Sequence, residues 1–159
     1  MSDKKRFGVM LDCSRNAVMK PEQVKKFVDY ISAFGYNCIQ LYTEDTFEVD
    51  GEPYFGYLRG RYTKDELKNI DAYCAKKGVE LIPCVQTLAH VNQIFRWNEY
   101  ARTVRDTGDI LLADEPRTYA LIENIFKTLA ECFTSRTVNI GMDEAHLLGR
   151  GKYLDKHGY

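Results

Sequence analysis

Four short apolar runs, each followed by a polar loop and then by an amphipathic helical stripe, constrain this chain more than any other feature. Phe7-Gly-Val-Met-Leu-Asp-Cys13 reads as a buried strand, and Pro21 opens a helix with Val24, Phe27, Val28, Ile31 and Phe34 on one face and Gly35 as its stop. Asn37-Cys-Ile-Gln-Leu-Tyr42 is a second strand. Thr63 and Glu66 form a capping box for the next helix, whose apolar face is Leu67, Ile70 and Cys74 and which ends at Gly78. Val79-Glu-Leu-Ile-Pro-Cys-Val85 is the third strand, with a bulge or early end expected at Pro83. After an irregular stretch with a short helix near Asn92–Trp97, Pro116 starts a helix with Tyr119, Ile122, Ile125, Phe126, Leu129 and Phe133 on one side. Thr137-Val-Asn-Ile-Gly-Met142 is the fourth strand.

Strand–helix–strand repetition with these connection lengths predicts parallel pairing and right-handed crossovers. The fold class is α/β, with a TIM-type (β/α) barrel as its arrangement and an open doubly wound sheet as the alternative. About four β/α units fit residues 1–159, whereas a complete eight-stranded barrel takes ~250 residues. The chain therefore reads as the first half of such a barrel, in one domain without internal repeats or linkers. A half barrel leaves the edges of its first and fourth strands free, and free edges recruit other chains, so homodimerisation through them is expected.

The polar clusters Asp12–Asn16, Thr43–Thr46, Gln86–Asn92 and Asp143–His146 all follow strands, which places them on the face that carries chemistry in parallel α/β folds. None is a glycine-rich phosphate loop, which disfavours nucleotide-binding folds. Basic and acidic side chains nearly balance, 22 against 23, and the net charge of −1 argues against a nucleic-acid or polybasic membrane surface. The start, Met1 to Arg6, is polar and basic, with no apolar run of signal length and no membrane-spanning stretch after it. The five cysteines, Cys13, Cys38, Cys74, Cys84 and Cys132, are odd in number and lack C-x-x-C pairing. They read as buried free thiols, and a cytoplasmic location follows.

Asp143 and Glu144 are the strongest chemical signal: adjacent carboxylates at a strand end can divide into a proton donor and an ionised partner. The plainer reading is that Asp143 caps a helix beginning at Ala145. Arg15, the acids Glu44 and Asp45, and His90 each follow a different strand; singly each is an ordinary loop residue, and together they form a constellation. No His/Cys spacing supports a metal site, and no cofactor is called for. The Glu52–Tyr57 loop and Trp97 either line the mouth of the site or pack beneath the long loop, packing being the favoured reading for Phe55 and Trp97.

The segments Leu-Asp-Cys-Ser-Arg15, Leu-Tyr-Thr-Glu-Asp45, Gln-Thr-Leu-Ala-His90 and Ile-Gly-Met-Asp-Glu144 occur in the order seen in family 20 glycoside hydrolases, and the chain resembles the first half of the catalytic barrel of the β-N-acetylhexosaminidases. The resemblance implies substrate-assisted, retaining hydrolysis of terminal β-linked N-acetylglucosamine or N-acetylgalactosamine, an exception to the two-carboxylate scheme. It implies Glu144 as general acid, Asp143 as the holder of the 2-acetamido N–H, Arg15 as the ligand of the sugar's outer hydroxyls, and His90 with Asp45 (or Glu44) as the pair that tunes the proton on Glu144. Two segments depart from the family pattern: Thr-Glu-Asp stands where many members have two aspartates, and Ala89-His-Val-Asn92 replaces the usual Pro-Gly-His. Two other classes compete. One is a non-catalytic half barrel that binds sugars or assembles with other chains; the other is a barrel isomerase or aldolase, which would need a metal cluster or a Schiff-base lysine.

Overall fold

The computed structural model describes residues 5–15 and 17–158. The first four residues of the basic start, Asn16 of the first polar cluster and Tyr159 lie outside the described residues. Three parallel strands, β1 (Gly8–Asp12), β2 (Cys38–Tyr42) and β3 (Glu80–Cys84), form a sheet in the order β1-β2-β3. They are joined by the helices α1 (Pro21–Ala33) and α2 (Lys64–Lys76), so each crossover is a β/α/β unit. The sheet is open, and no barrel closes among the described residues.

The pleat separates two faces. Val9 and Leu11, Ile39 and Leu41, and Leu81 point to the helices, where Val24, Val28, Ile31, Leu67, Ile70 and Cys74 complete the core. Met10, Gln40 and Tyr42 alternate onto the other face, and Asn139 donates to Gln40 across it at 3.2 Å. β1 is only half buried, because its outer edge has no partner strand among the described residues; the sequence reading of a fully buried strand is corrected here. The Thr63–Glu66 capping box starts α2 as expected, and Gly35 and Gly78 follow their helices with positive φ. Phe34, placed on the apolar face of α1 by spacing, is exposed.

The fourth strand is the main departure from expectation. Residues 137–142 run beside β3, but only one parallel bridge forms, between Cys84 and Asn139. Its two bonds run from Asn139 N–H to the Pro83 carbonyl (2.9 Å) and from Val85 N–H to the Asn139 carbonyl (3.0 Å). The next rung toward the strand start would need an N–H on residue 83, which proline lacks. The Thr137 N–H bonds the Ser135 hydroxyl instead. Pro83 thus sits within a regular β3, in register opposite Leu41, and its cost falls on the neighbour rather than on β3 itself.

The irregular stretch after His90 holds a 3-10 turn (Ile94–Arg96), the helix α3 (Asn98–Thr103) and a small antiparallel hairpin of β4 (Arg105–Thr107) and β5 (Ile110–Leu111), which the sequence did not suggest. Then come α4 (Pro116–Cys132) and α5 (Lys152–His157). The buried stripe of α4 is Leu121, Ile125, Leu129 and Cys132; Tyr119 is exposed, so the face is rotated from the one expected. All five cysteines are free and buried, and no described helix is long and apolar enough to cross a membrane. Phe55 packs in the core, while Trp97 is half-buried and stacks with Tyr54 at 5.4 Å.

One buried polar network ties the long loop after β2 to the later helices. The Glu52 carboxylate accepts two hydrogen bonds from Arg117 (2.8 and 2.6 Å), one from Asn124 (3.0 Å) and one from the Tyr100 hydroxyl (3.0 Å). Removing one partner of such a pair strands a buried charge, at about 3 kcal/mol or more. Arg117→Met should therefore lower unfolding stability in urea by about 3 kcal/mol; a change within error would show that the network does not anchor the loop.

Candidate active site

The loops after β2 and β3, the stretch after β1 and the segment beyond the Cys84–Asn139 bridge converge at the C-terminal end of the sheet. His90 lies at the centre. Its Nε2 is 3.3 Å from a Glu144 oxygen and 3.7 Å from an Asp143 oxygen. The ring is largely buried, while both acids are about two-thirds exposed on the open side. These three atoms lie within 4.8 Å of one another, and His90 Nε2 is buried without a hydrogen-bond partner among the described residues.

Two backbone features hold this arrangement. His90 (φ 57°) and Glu144 (φ 52°) both adopt the left-handed conformation that side-chain-bearing residues avoid, and Leu58 is the one other such residue described. Strain of about 1–3 kcal/mol per residue persists where the surroundings over-determine it, which occurs at functional sites. The chain bends at Gly141 (φ 56°), where a Cβ would sit 2.2 Å from the Val85 carbonyl oxygen. No helix starts at Ala145, so the reading of Asp143 as a helix cap does not apply.

Asp109 positions His90 from behind. Its carboxylate accepts the His90 backbone N–H at 3.2 Å and lies 3.9 Å from Nδ1. It stands at the tip of the β4–β5 hairpin, which is fastened by the Leu111 N–H to the Leu88 carbonyl (2.8 Å). Sequence reasoning missed Asp109; its only signal was a Thr-Gly-Asp turn in a stretch taken as irregular.

Asp45, expected to partner His90, is elsewhere engaged. Its carboxylate is almost fully buried and accepts from Arg59 Nε at 3.1 Å, while the same guanidinium also bonds the Ser14 carbonyl. Burial pushes the Asp45 carboxyl above its usual range, and Arg59 pulls it back only in part. Glu44, the other acid of that loop, faces the site. One of its oxygens accepts from the Tyr42 hydroxyl at 3.3 Å and lies 3.7 Å from Arg15 Nε. Arg15 is half-exposed, with its guanidinium carbon 5.8 Å from the Tyr42 ring centre. Interaction with Tyr42, then with Glu44, Asp12 and Glu144, strengthens its hold on its proton. The structure thus brings Arg15, Glu44, His90, Asp143 and Glu144 to one mouth and leaves Asp45 beneath it in a structural ion pair.

A parallel β/α sheet that gathers a histidine, two exposed adjacent carboxylates and an arginine at one mouth is equipped for acid–base chemistry. Comparison with known proteins assigns the family. Residues 6–153 match the model of the glycosyl hydrolase family 20 catalytic domain, and the chain belongs to that family. It is 27% identical to a β-hexosaminidase of Akkermansia muciniphila over 91% of this chain and 36% of that protein. It is 25% identical to human hexosaminidase D over 87% of this chain and 29% of that protein. The chain therefore spans about a third of the length of these relatives. A family 20 exo-β-N-acetylglucosaminidase from Vibrio harveyi, solved with N-acetylglucosamine, superposes with a TM-score of 0.83 at 18% identity, covering 97% of this chain and 30% of that one. The Streptomyces plicatus N-acetyl-β-hexosaminidase gives 0.77 at 25% identity, covering 87% and 32%.

Burial raises the Glu44 carboxyl above its ordinary 4.5, against the opposing pull of Arg15, the Tyr42 hydroxyl and His90. A carboxyl with a raised folded-state value costs stability as pH climbs through the interval between its unfolded and folded values, because the unfolded chain ionises first. Glu44→Gln should hence raise the melting temperature at neutral pH and leave it unchanged below pH ~4, where both forms are protonated. A loss of stability at neutral pH would mean that the Arg15 pairing outweighs burial.

Proposed function

We propose that the chain forms the first four β/α units of a (β/α)8 barrel, and that the protein carrying it is a β-N-acetylhexosaminidase acting on terminal β-linked N-acetylglucosamine or N-acetylgalactosamine. The observation that carries this reading is the histidine held between two adjacent exposed acids. With a nucleophile on the protein, the second carboxylate must reach the sugar from the face opposite the acid, ~5–5.5 Å away across the ring. Consecutive acids that both approach one histidine nitrogen reach the mouth from the same side rather than from opposite faces of a ring. They suit a reaction in which the nucleophile belongs to the substrate.

In that reaction Asp143 accepts the N–H of the 2-acetamido group and turns its carbonyl oxygen toward the anomeric carbon. That oxygen forms the new bond to carbon as the glycosidic C–O bond breaks, and Glu144 passes its proton to the departing oxygen. Glu144, now ionised, takes a proton from water as the water attacks the anomeric carbon and the oxazolinium ring opens with retained configuration. His90, buried behind both acids and fixed by Asp109, sets the hydrogen bonding of Glu144 in its two protonation states. Arg15 offers a planar guanidinium to the outer hydroxyls of the sugar. Glu44 is the acid that couples to Arg15 and His90, in place of Asp45. Five free buried thiols support a reducing compartment, and the edge of β1 that has no partner strand among the described residues is where a further strand, or a second copy of the chain, would add.

Release of p-nitrophenol from its β-N-acetylglucosaminide by the full-length protein tests the assignment. Glu144→Gln should reduce turnover roughly 10²-fold, the good leaving group making this a lower bound. Turnover equal to that of the unaltered protein would remove Glu144 from the chemistry.

A further inference from the structure

Gln86 is almost fully buried at the end of β3, yet its amide faces the mouth rather than the core. Its two N–H bonds are both used: one donates to the Tyr42 hydroxyl at 3.0 Å and the other to Asp143 Oδ1 at 3.3 Å. The Tyr42 hydroxyl in turn donates to Glu44 Oε1 at 3.3 Å, and that same oxygen lies 3.7 Å from Arg15 Nε. Donor and acceptor roles run in one direction along this chain, and each follows from chemistry. The phenol has one proton, and burial pushes its pKa up to about 12, so it stays a donor to Glu44 at neutral pH. It can then only accept from Gln86. A reversed amide would aim its oxygen at the Asp143 carboxylate, with no proton between them. Gly141 packs closely over the amide, where a Cβ would sit 2.6 Å from Gln86 Oε1, a buried oxygen with no hydrogen-bond partner among the described residues.

We infer that Gln86, set by Tyr42, is the positioning residue for Asp143: it pins Oδ1 so that Oδ2 is presented between His90 and the open mouth. This rests on the role given to Asp143 above. A neutral amide suits the task, because it donates to the carboxylate without bringing a second negative charge beside Glu144. The same chain, closed by the Arg15–Glu44 ion pair, links the arginine that meets the sugar's hydroxyls to the acid that meets its acetamido group, so the two ends of one sugar are registered against a single polar strip.

A double-mutant cycle in the full-length protein tests this, with kcat and KM read on the p-nitrophenyl N-acetylglucosaminide. Gln86→Leu should lower kcat about tenfold with little change in KM, the worth of one hydrogen bond to a charged group. In an Asp143→Ala background the same substitution should cost less than about twofold, because the carboxylate it positions is already gone. Tyr42→Phe, which deletes one hydroxyl and fills the same space, should repeat the pattern with a smaller fall and guards against a misfolded Gln86 variant. An equal fall in both backgrounds would assign Gln86 to general structure, and no fall in the unaltered background would end the proposal. Full activity of Asp143→Ala alone would instead remove the catalytic reading on which it stands.

Discussion

Two backbone hydrogen bonds, from Asn139 to Pro83 and from Val85 to Asn139, are the constraint on which the site depends. Together with the longer Thr87-to-Gly141 bond (3.3 Å) they form the parallel ladder between β3 and the segment that carries Asp143 and Glu144. Parallel pairing sends both chains out of the sheet at the same end. The loop bearing His90 and the turn bearing the two acids therefore emerge side by side. Gly141 then bends the segment back over Gln86, and Glu144 accepts a left-handed backbone to bring its carboxylate toward His90. Pro83 removes the rung that would lengthen this ladder, so a short pairing does the work of a strand.

Much of the architecture was legible because it rests on local, periodic signals. Pro21, the Thr63–Glu66 box, Gly35 and Gly78 punctuate the helices where the sequence places them, and the period of apolar residues identifies β2 and β3. What was not legible depends on pairing partners. Whether β1 is buried, whether residues 137–142 form a full strand and which side of α4 faces inward are decided by neighbours that no local window contains. The β4–β5 hairpin escaped notice because its strands are two and three residues long.

For the site, residue types at strand ends sufficed to bring Arg15, His90, Asp143 and Glu144 to notice, and the structure gathers them at one mouth. The choice between Glu44 and Asp45 was not readable, since adjacent residues in an extended segment point to opposite sides and one register step decides which meets the site. Arg59, fourteen residues on, claims Asp45 and leaves Glu44 at the mouth. Tyr42, Gln86 and Asp109 were invisible as participants because neutral or turn-forming side chains carry no signature until their partners are known. The site is thus a row of contacts, Asp109 behind His90 and Gln86 beside Asp143, around two acids that remain open to solvent.

The central claim is that these adjacent acids serve a sugar that supplies its own attacking oxygen. Replacing the N-acetyl hydrogens of the substrate with one, two and three fluorines weakens that oxygen as a nucleophile while leaving the leaving group untouched. The account predicts that turnover by the full-length protein falls steeply and monotonically along the series. Rates that stay level across the series, or a glycosyl group trapped covalently on Asp143, would contradict it.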